Sequence, residues 1–210
     1  IPYGIFLTHA HIGHYTGLMY LGKEAWSAKQ LSVYAMPKLK SFLEQNGPWS
    51  QLVSQQNIQI QTLSDNQAIR LGDSISVTPL IVPHRDEYSE TVGYIISGPS
   101  KKLLFIPDID KWEKWSQNIN RLIEKVDYAL IDATFFDAAE INNRPISEIP
   151  HPLVVESMDR FKSTPLKDKQ KIHFIHFNHT NPLINNKSIA TEKVIKAGFN
   201  ITKKGNIFKL

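Results

Sequence analysis

The stretch Thr8-His9-Ala10-His11-Ile12-Gly13-His14 constrains this chain more than any other. It follows the apolar run Ile5-Phe6-Leu7 and precedes a helix-like run over residues 15–21, so its histidines fall where a strand gives way to a helix. Side chains alternate along an extended segment, which aims His9 and His11 the same way. His14 then enters from the first helical turn. Neutral imidazoles are the commonest protein ligands for zinc and related divalent ions. The stretch can place two imidazoles on one ion and offer the third to a neighbouring one. The competing reading is a set of surface or core histidines with no shared task. The remaining five histidines, His84, His151, His173, His176 and His179, weigh against it, because each group sits at or beside the end of a strand-like run, where loops carry sites.

The chain has no cysteine. Disulfides and thiolate metal sites are excluded, and any ion must be held by histidine and carboxylate. With 210 residues, 41% of them hydrophobic, one domain with a sizeable core is expected over 1–210. The net charge of +4 is far short of the clustered Lys/Arg of a dedicated nucleic-acid binder. No apolar run approaches the ~20 residues that span a bilayer. The chain opens on Ile1-Pro2 inside a strand-like run and without Met. A native N-terminal segment, with any targeting signal, is therefore expected to precede it. On this reading the cytoplasm is weakly favoured.

Strand-like and helix-like segments alternate. Strands are expected at 5–8, 31–35, 58–63, 75–82, 94–96, 103–106, 128–131, 172–177, 199–202 and 207–210, with a hairpin across Gly98-Pro99-Ser100. Helices are expected at 14–22, 37–45, 111–125, 152–162 and 187–197. The first and last of these close on Gly22 and Gly198. Trp112 and Trp115 share a helical spacing with Ile119, Leu122 and Ile123 and read as core. The pattern is a layered α/β fold with helices packed on sheets.

Four strand ends carry ligand-type residues: His9/His11/His14, His84, Asp108 and His176. Asp108 can bridge two ions, or equally cap the helix expected at 111–125. His176 competes with His173 and His179 as the ligand near its strand end, and alternation puts His173 and His176 on opposite faces. Asp132 can orient a ligand histidine. An ion with open positions takes the pKa of a bound water to about 7 and polarises a substrate oxygen.

The stretch Leu7 to His14 resembles the His-x-His-x-Asp-His signature of the metallo-β-lactamase superfamily. The likeness continues in family order through Pro83-His84, Ser89, Val92-Gly93-Tyr94, Phe105-Ile106-Pro107-Asp108, Asp132-Ala133-Thr134-Phe135 and Phe174-Ile175-His176-Phe177. Gly13-His14-Tyr15-Thr16-Gly17-Leu18, His84-Arg85-Asp86-Glu87-Tyr88-Ser89 and His176-Phe177-Asn178-His179-Thr180-Asn181-Pro182 resemble its PQQ-biosynthesis protein B branch in particular. The resemblance implies an αββα four-layer sandwich whose N-terminal strands precede Ile1. It also implies a first metal site of His9, His11 and His84, a bridging Asp108, and a second site of His14, Asp108 and His176. One departure matters: the motif's aspartate is Gly13 here, and glycine cannot ligate. One divalent ion is therefore expected rather than two, zinc first, with manganese or iron as alternatives. Asp108 would position the water, and a protonated His151 or His179 would assist the leaving group.

The resulting expectation is a metal-dependent hydrolase of a phosphodiester or small ester. The alternatives are an iron-dependent oxygenase acting on a tyrosine-derived peptide or small molecule, and a degenerate, non-catalytic member. A small-molecule or phosphodiester substrate is the expected partner, with a homodimer as a further expectation. Nothing identifies a lactam pocket.

Overall fold

The computed structural model describes residues 2–141 and 145–210. Ile1, the first residue of the strand-like opening run, lies outside them. The chain forms two compact units: residues 1–67 with 86–92, and residues 68–85 with 93–210.

The first unit is built on a three-stranded parallel sheet, β1 (Gly4–Phe6), β2 (Leu31–Ala35) and β3 (Ile58–Thr62), with β2 in the middle. The alternation in β2 is the local cause of its placement. Leu31, Val33 and Ala35 are buried, while Ser32 and Tyr34 take the other face, where Tyr34 stacks on Phe6 with ring centroids 4.1 Å apart. Helix α1 (Ile12–Tyr15) runs into a 3₁₀ stretch at Thr16–Leu21, in place of the single helix expected at 14–22. Helix α2 (Pro37–Gln45) has Pro at its first position and buries Leu39 and Leu43, as expected from the sequence. A further helix, α3 (Trp49–Ser54), follows the Asn46-Gly47-Pro48 breaker and buries Leu52. These apolar side chains share one core with Leu7, Tyr15, Leu18 and Ile58.

The second unit holds a seven-stranded sheet. Its strands are β4 (Ile69–Leu71), β5 (Ile75–Ile81), β6 (Val92–Ser97), β7 (Lys102–Ile106), β8 (Tyr128–Asp132), β9 (Ile172–Ile175) and β10 (Asn200–Ile201), in spatial order β10-β9-β8-β7-β6-β5-β4. Strands β7, β8, β9 and β10 run parallel, and β6 pairs antiparallel with β7 through the expected hairpin. β8 is an interior strand, buried from Ala129 to Asp132, the near-continuous apolar run of a strand covered on both faces. Gly93 in β6 is required by close approach: a Cβ there would lie 2.7 Å from Ile106 Cγ1 and 2.8 Å from the Phe105 carbonyl oxygen.

Helix α4 (Ile119–Glu124) is all that forms of the longer helix expected at 111–125; Trp112–Lys114 is a separate 3₁₀ turn. Both indoles are buried and tethered, Trp112 Nε1 to Ser157 Oγ at 2.9 Å and Trp115 Nε1 to the Ile81 carbonyl at 2.8 Å. Asn118 then starts α4, its side chain accepting from the amides of Asn120 and Arg121. The tethers to two different elements and the cap at Asn118 fit a broken helix better than a continuous one. Helices α5 (Val154–Arg160), α6 (Leu166–Lys169) and α7 (Ile189–Lys196) complete the unit. Residues 207–210, expected as a strand, form no regular element.

Candidate metal centre

In the first unit the turn between β1 and α1 carries the histidine motif. His9 is 1% exposed. Its Nδ1 lies 3.1 Å from Thr8 Oγ1, which leaves Nε2 to face His11 Nδ1 at 2.8 Å. An ion bound tetrahedrally at about 2.0–2.1 Å separates two ligand nitrogens by about 3.3 Å, a small opening of this pair. His11 is extended, with φ −79° and ψ 138°, so the period-two argument that paired it with His9 holds. His14 lies in α1 with its ring centroid 4.2 Å from that of His9. A Cβ at Gly13 would meet nothing within 4 Å. The motif's missing carboxylate therefore reflects the residue type and not a lack of room.

In the second unit the chain order of strands gathers the acids. β7, β8 and β9 are parallel neighbours in register Ile106↔Ile131 and Asp132↔Ile175, so residues just past their C-termini share one sheet edge. Ligands in such sheets bind outside the carboxyl ends of the strands. Asp108, Asp132 and His176 all fall there. His176 has a left-handed backbone, φ 63°, a conformation uncommon outside glycine and concentrated at functional sites. His84 Nε2 lies 3.2 Å from Asp108 Oδ1, and both side chains are nearly free of solvent. An imidazole nitrogen and a carboxylate oxygen brought together out of contact with bulk solvent are donor chemistry that a divalent ion fits.

Asp132 is completely buried, and a carboxylate there needs donors. It accepts from the amides of Ile109 (3.1 Å) and Thr134 (2.8 Å), from the Thr134 hydroxyl (2.7 Å) and from His151 Nδ1 (2.8 Å). Burial alone would raise its pKa, but the bond to His151 and the nearby His151 and His176 imidazoles outweigh it and hold the carboxyl below the usual range. Asp108 is lowered too, its bond to His151 and the nearby imidazoles overcoming burial and the Asp132 charge. His151 Nδ1 stands between the two carboxylates, 3.1 Å from Asp108 Oδ1. Burial opposes its charge, yet the two acids raise its pKa to about 9. His151 therefore carries a proton at neutral pH. Asp108, Asp132 and His151 bring ligand-type atoms within 4.8 Å of one another, and the raised His151 pKa favours an ion-paired group.

Sequence reasoning passed over Thr134. Its hydroxyl gives its one hydrogen to Asp132, so it accepts from His176 Nδ1 at 2.9 Å. That leaves His176 Nε2 as the nitrogen facing Asp108 Oδ2, at 3.9 Å. Outer partners of this kind fix which imidazole nitrogen is offered to an ion. Asp108 does not cap a helix, since the 3₁₀ turn after Lys111 has no side-chain cap. His173 is half-buried between the rings of Tyr128 and Phe208, with burial lowering its pKa. His179 is exposed and makes no hydrogen bond to this cluster among the described residues, so the structure gathers His151 and not His179.

The chain belongs to the beta-lactamase superfamily, whose domain model matches residues 2–201. A relative in Nitrosococcus oceani, coenzyme PQQ synthesis protein B, is 25% identical over 229 residues, spanning 96% of this chain and 72% of its own. The Zn(2+)-bound PqqB structure from Methylobacterium extorquens superposes with a TM-score of 0.81 at 20% identity, covering 99% of this chain and 73% of that one. The diiron β-hydroxylase CmlA from Streptomyces venezuelae shares the fold at a TM-score of 0.57 and 15% identity, over 96% of this chain and 44% of its own. The expected α/β metallo-β-lactamase fold of the αββα class and the likeness to PQQ-biosynthesis protein B are both borne out.

Proposed function

We propose that this chain is a metal-dependent hydrolase, with His9, His11 and His84 as ligands of one divalent ion, zinc first, and a phosphodiester or small ester as substrate. The observation that carries the reading is two close pairs of ligand-type atoms: His9 Nε2 beside His11 Nδ1 in one unit, and the buried His84 Nε2 beside Asp108 Oδ1 in the other. A divalent ion held there would supply Lewis acidity and lower the pKa of water towards neutral. Asp108 would orient the attacking water. His151, already protonated, donates from Nε2 to the leaving oxygen while its Nδ1 stays between Asp108 and Asp132. Asp132 and Thr134 hold the imidazoles and do not touch substrate.

A second reading is favoured by the carboxylate between imidazoles. His14, Asp108 and His176 would supply a two-histidine, one-carboxylate set suited to Fe(II), and the fold also carries the diiron hydroxylase CmlA. On this reading the substrate is a tyrosine-derived peptide or small molecule in cofactor synthesis. Loading separates the two. The zinc or manganese form should release nitrophenolate from bis(4-nitrophenyl) phosphate or a 4-nitrophenyl ester, and His84→Ala and Asp108→Asn should lose at least about 100-fold. An inert zinc form, together with an iron form that consumes oxygen and depends on His14, would replace hydrolysis by oxygenation.

A further inference from the structure

In the first unit, residues 86–92 clasp the histidine turn. Ser89 Oγ accepts from the Ala10 amide at 2.8 Å and donates to the Glu90 carbonyl at 2.9 Å. The Val92 amide donates to the Thr8 carbonyl at 3.0 Å. These two bonds flank His9. Thr91 Oγ1 donates to Asp86 Oδ1 at 2.9 Å and closes the segment on itself. Glu90 accepts from the Lys38 amide through both oxygens, at 3.2 and 3.0 Å, which ties the segment to the first turn of α2. At the tip of this clasp, Glu87 Oε2 lies 3.1 Å from His11 Nε2. His11 turns its other nitrogen, Nδ1, to His9 Nε2.

We propose that Glu87 is a positioning residue for metal binding. By accepting from His11 Nε2–H it fixes the tautomer that leaves the Nδ1 lone pair for the ion, and its charge strengthens that nitrogen as a donor. The inference rests on reading His9 and His11 as ligands. Glu87 is not itself a ligand, because it meets the ring on the nitrogen that does not face His9. Nor is it a stability device. Its side chain is 49% exposed, and exposed ion pairs contribute little to folding. What Glu87 controls is ring orientation, so its loss should appear in metal affinity and not in the fold. Sequence spacing hides the pairing, since Glu87 is 76 residues from His11.

Zinc affinity, measured by competition with a chromophoric chelator, tests this in the full chain. Glu87→Ala should bind zinc about 10–100-fold more weakly. The stoichiometry, the visible bands of the cobalt-substituted protein and the urea midpoint of the metal-free protein should all match wild type. Glu87→Gln keeps an acceptor for Nε2–H and should recover most of the affinity. Wild-type zinc affinity in Glu87→Ala overturns the proposal. So does equal weakening of zinc binding in both variants with shifted cobalt bands, which would make Glu87 a ligand. His11→Ala separates this from the underlying reading: unchanged zinc binding there would remove the metal site itself, whatever Glu87 does.

Discussion

Thr134 is the residue on which the acidic cluster turns. One hydroxyl satisfies Asp132 and orients His176. Thr134→Val keeps the volume and removes that link, leaving a buried carboxylate short of one donor. We expect a loss of about 1–3 kcal/mol in urea unfolding of the metal-free protein, together with weaker zinc binding. His151 gives a pH signature. Its folded pKa of about 9 lies above the unfolded value of about 6.5. The stabilisation it draws from Asp108 and Asp132 is therefore complete below about pH 6.5 and is lost as pH rises through about 9. In the metal-free protein, the stability gap between wild type and His151→Gln should narrow by about 2–3 kcal/mol from pH 6 to pH 10. A gap that stays constant would mean His151 is not held protonated. At this scale the sequence was legible where side chains lie close along the chain: period-two spacing paired His9 with His11. It was not legible where a role depends on atoms meeting across elements, as for Thr134 with His176, or on a left-handed turn such as that at His176.

Among the elements, β8 supports the site most directly, because it places Asp132 at the sheet edge and its Ile131 is fully buried. Ile131→Ala should cost about 2–5 kcal/mol, read from denaturant midpoints. Asn118→Ala removes the cap that starts α4 and should cost about 0.5–2 kcal/mol. Elements with strong periodicity were readable from sequence. β2 and α2 begin and end where alternation and the first-turn proline put them. The break in the expected 111–125 helix was not readable, because its tethers are Ser157 and the Ile81 carbonyl, which apolar spacing cannot register. β4 escaped for a different reason: it is three residues long and is defined by pairing with β5.

For the whole molecule, membership of the superfamily was legible because the His/Asp motifs recur in family order along the chain. We propose that the number of ions turns on one position. Gly13 replaces the carboxylate of the motif, and a side chain there meets open space. Gly13→Asp should therefore fold as wild type and restore a ligand to the second site. No helix among the described residues is long and apolar enough to cross a membrane. The most direct measurement is elemental analysis of metal per chain, on protein purified without chelator, for wild type and Gly13→Asp. We expect about one zinc or manganese in wild type, rising towards two in the variant. No bound metal in either protein, even after reloading, would contradict a metal-dependent enzyme and leave a degenerate member of the fold.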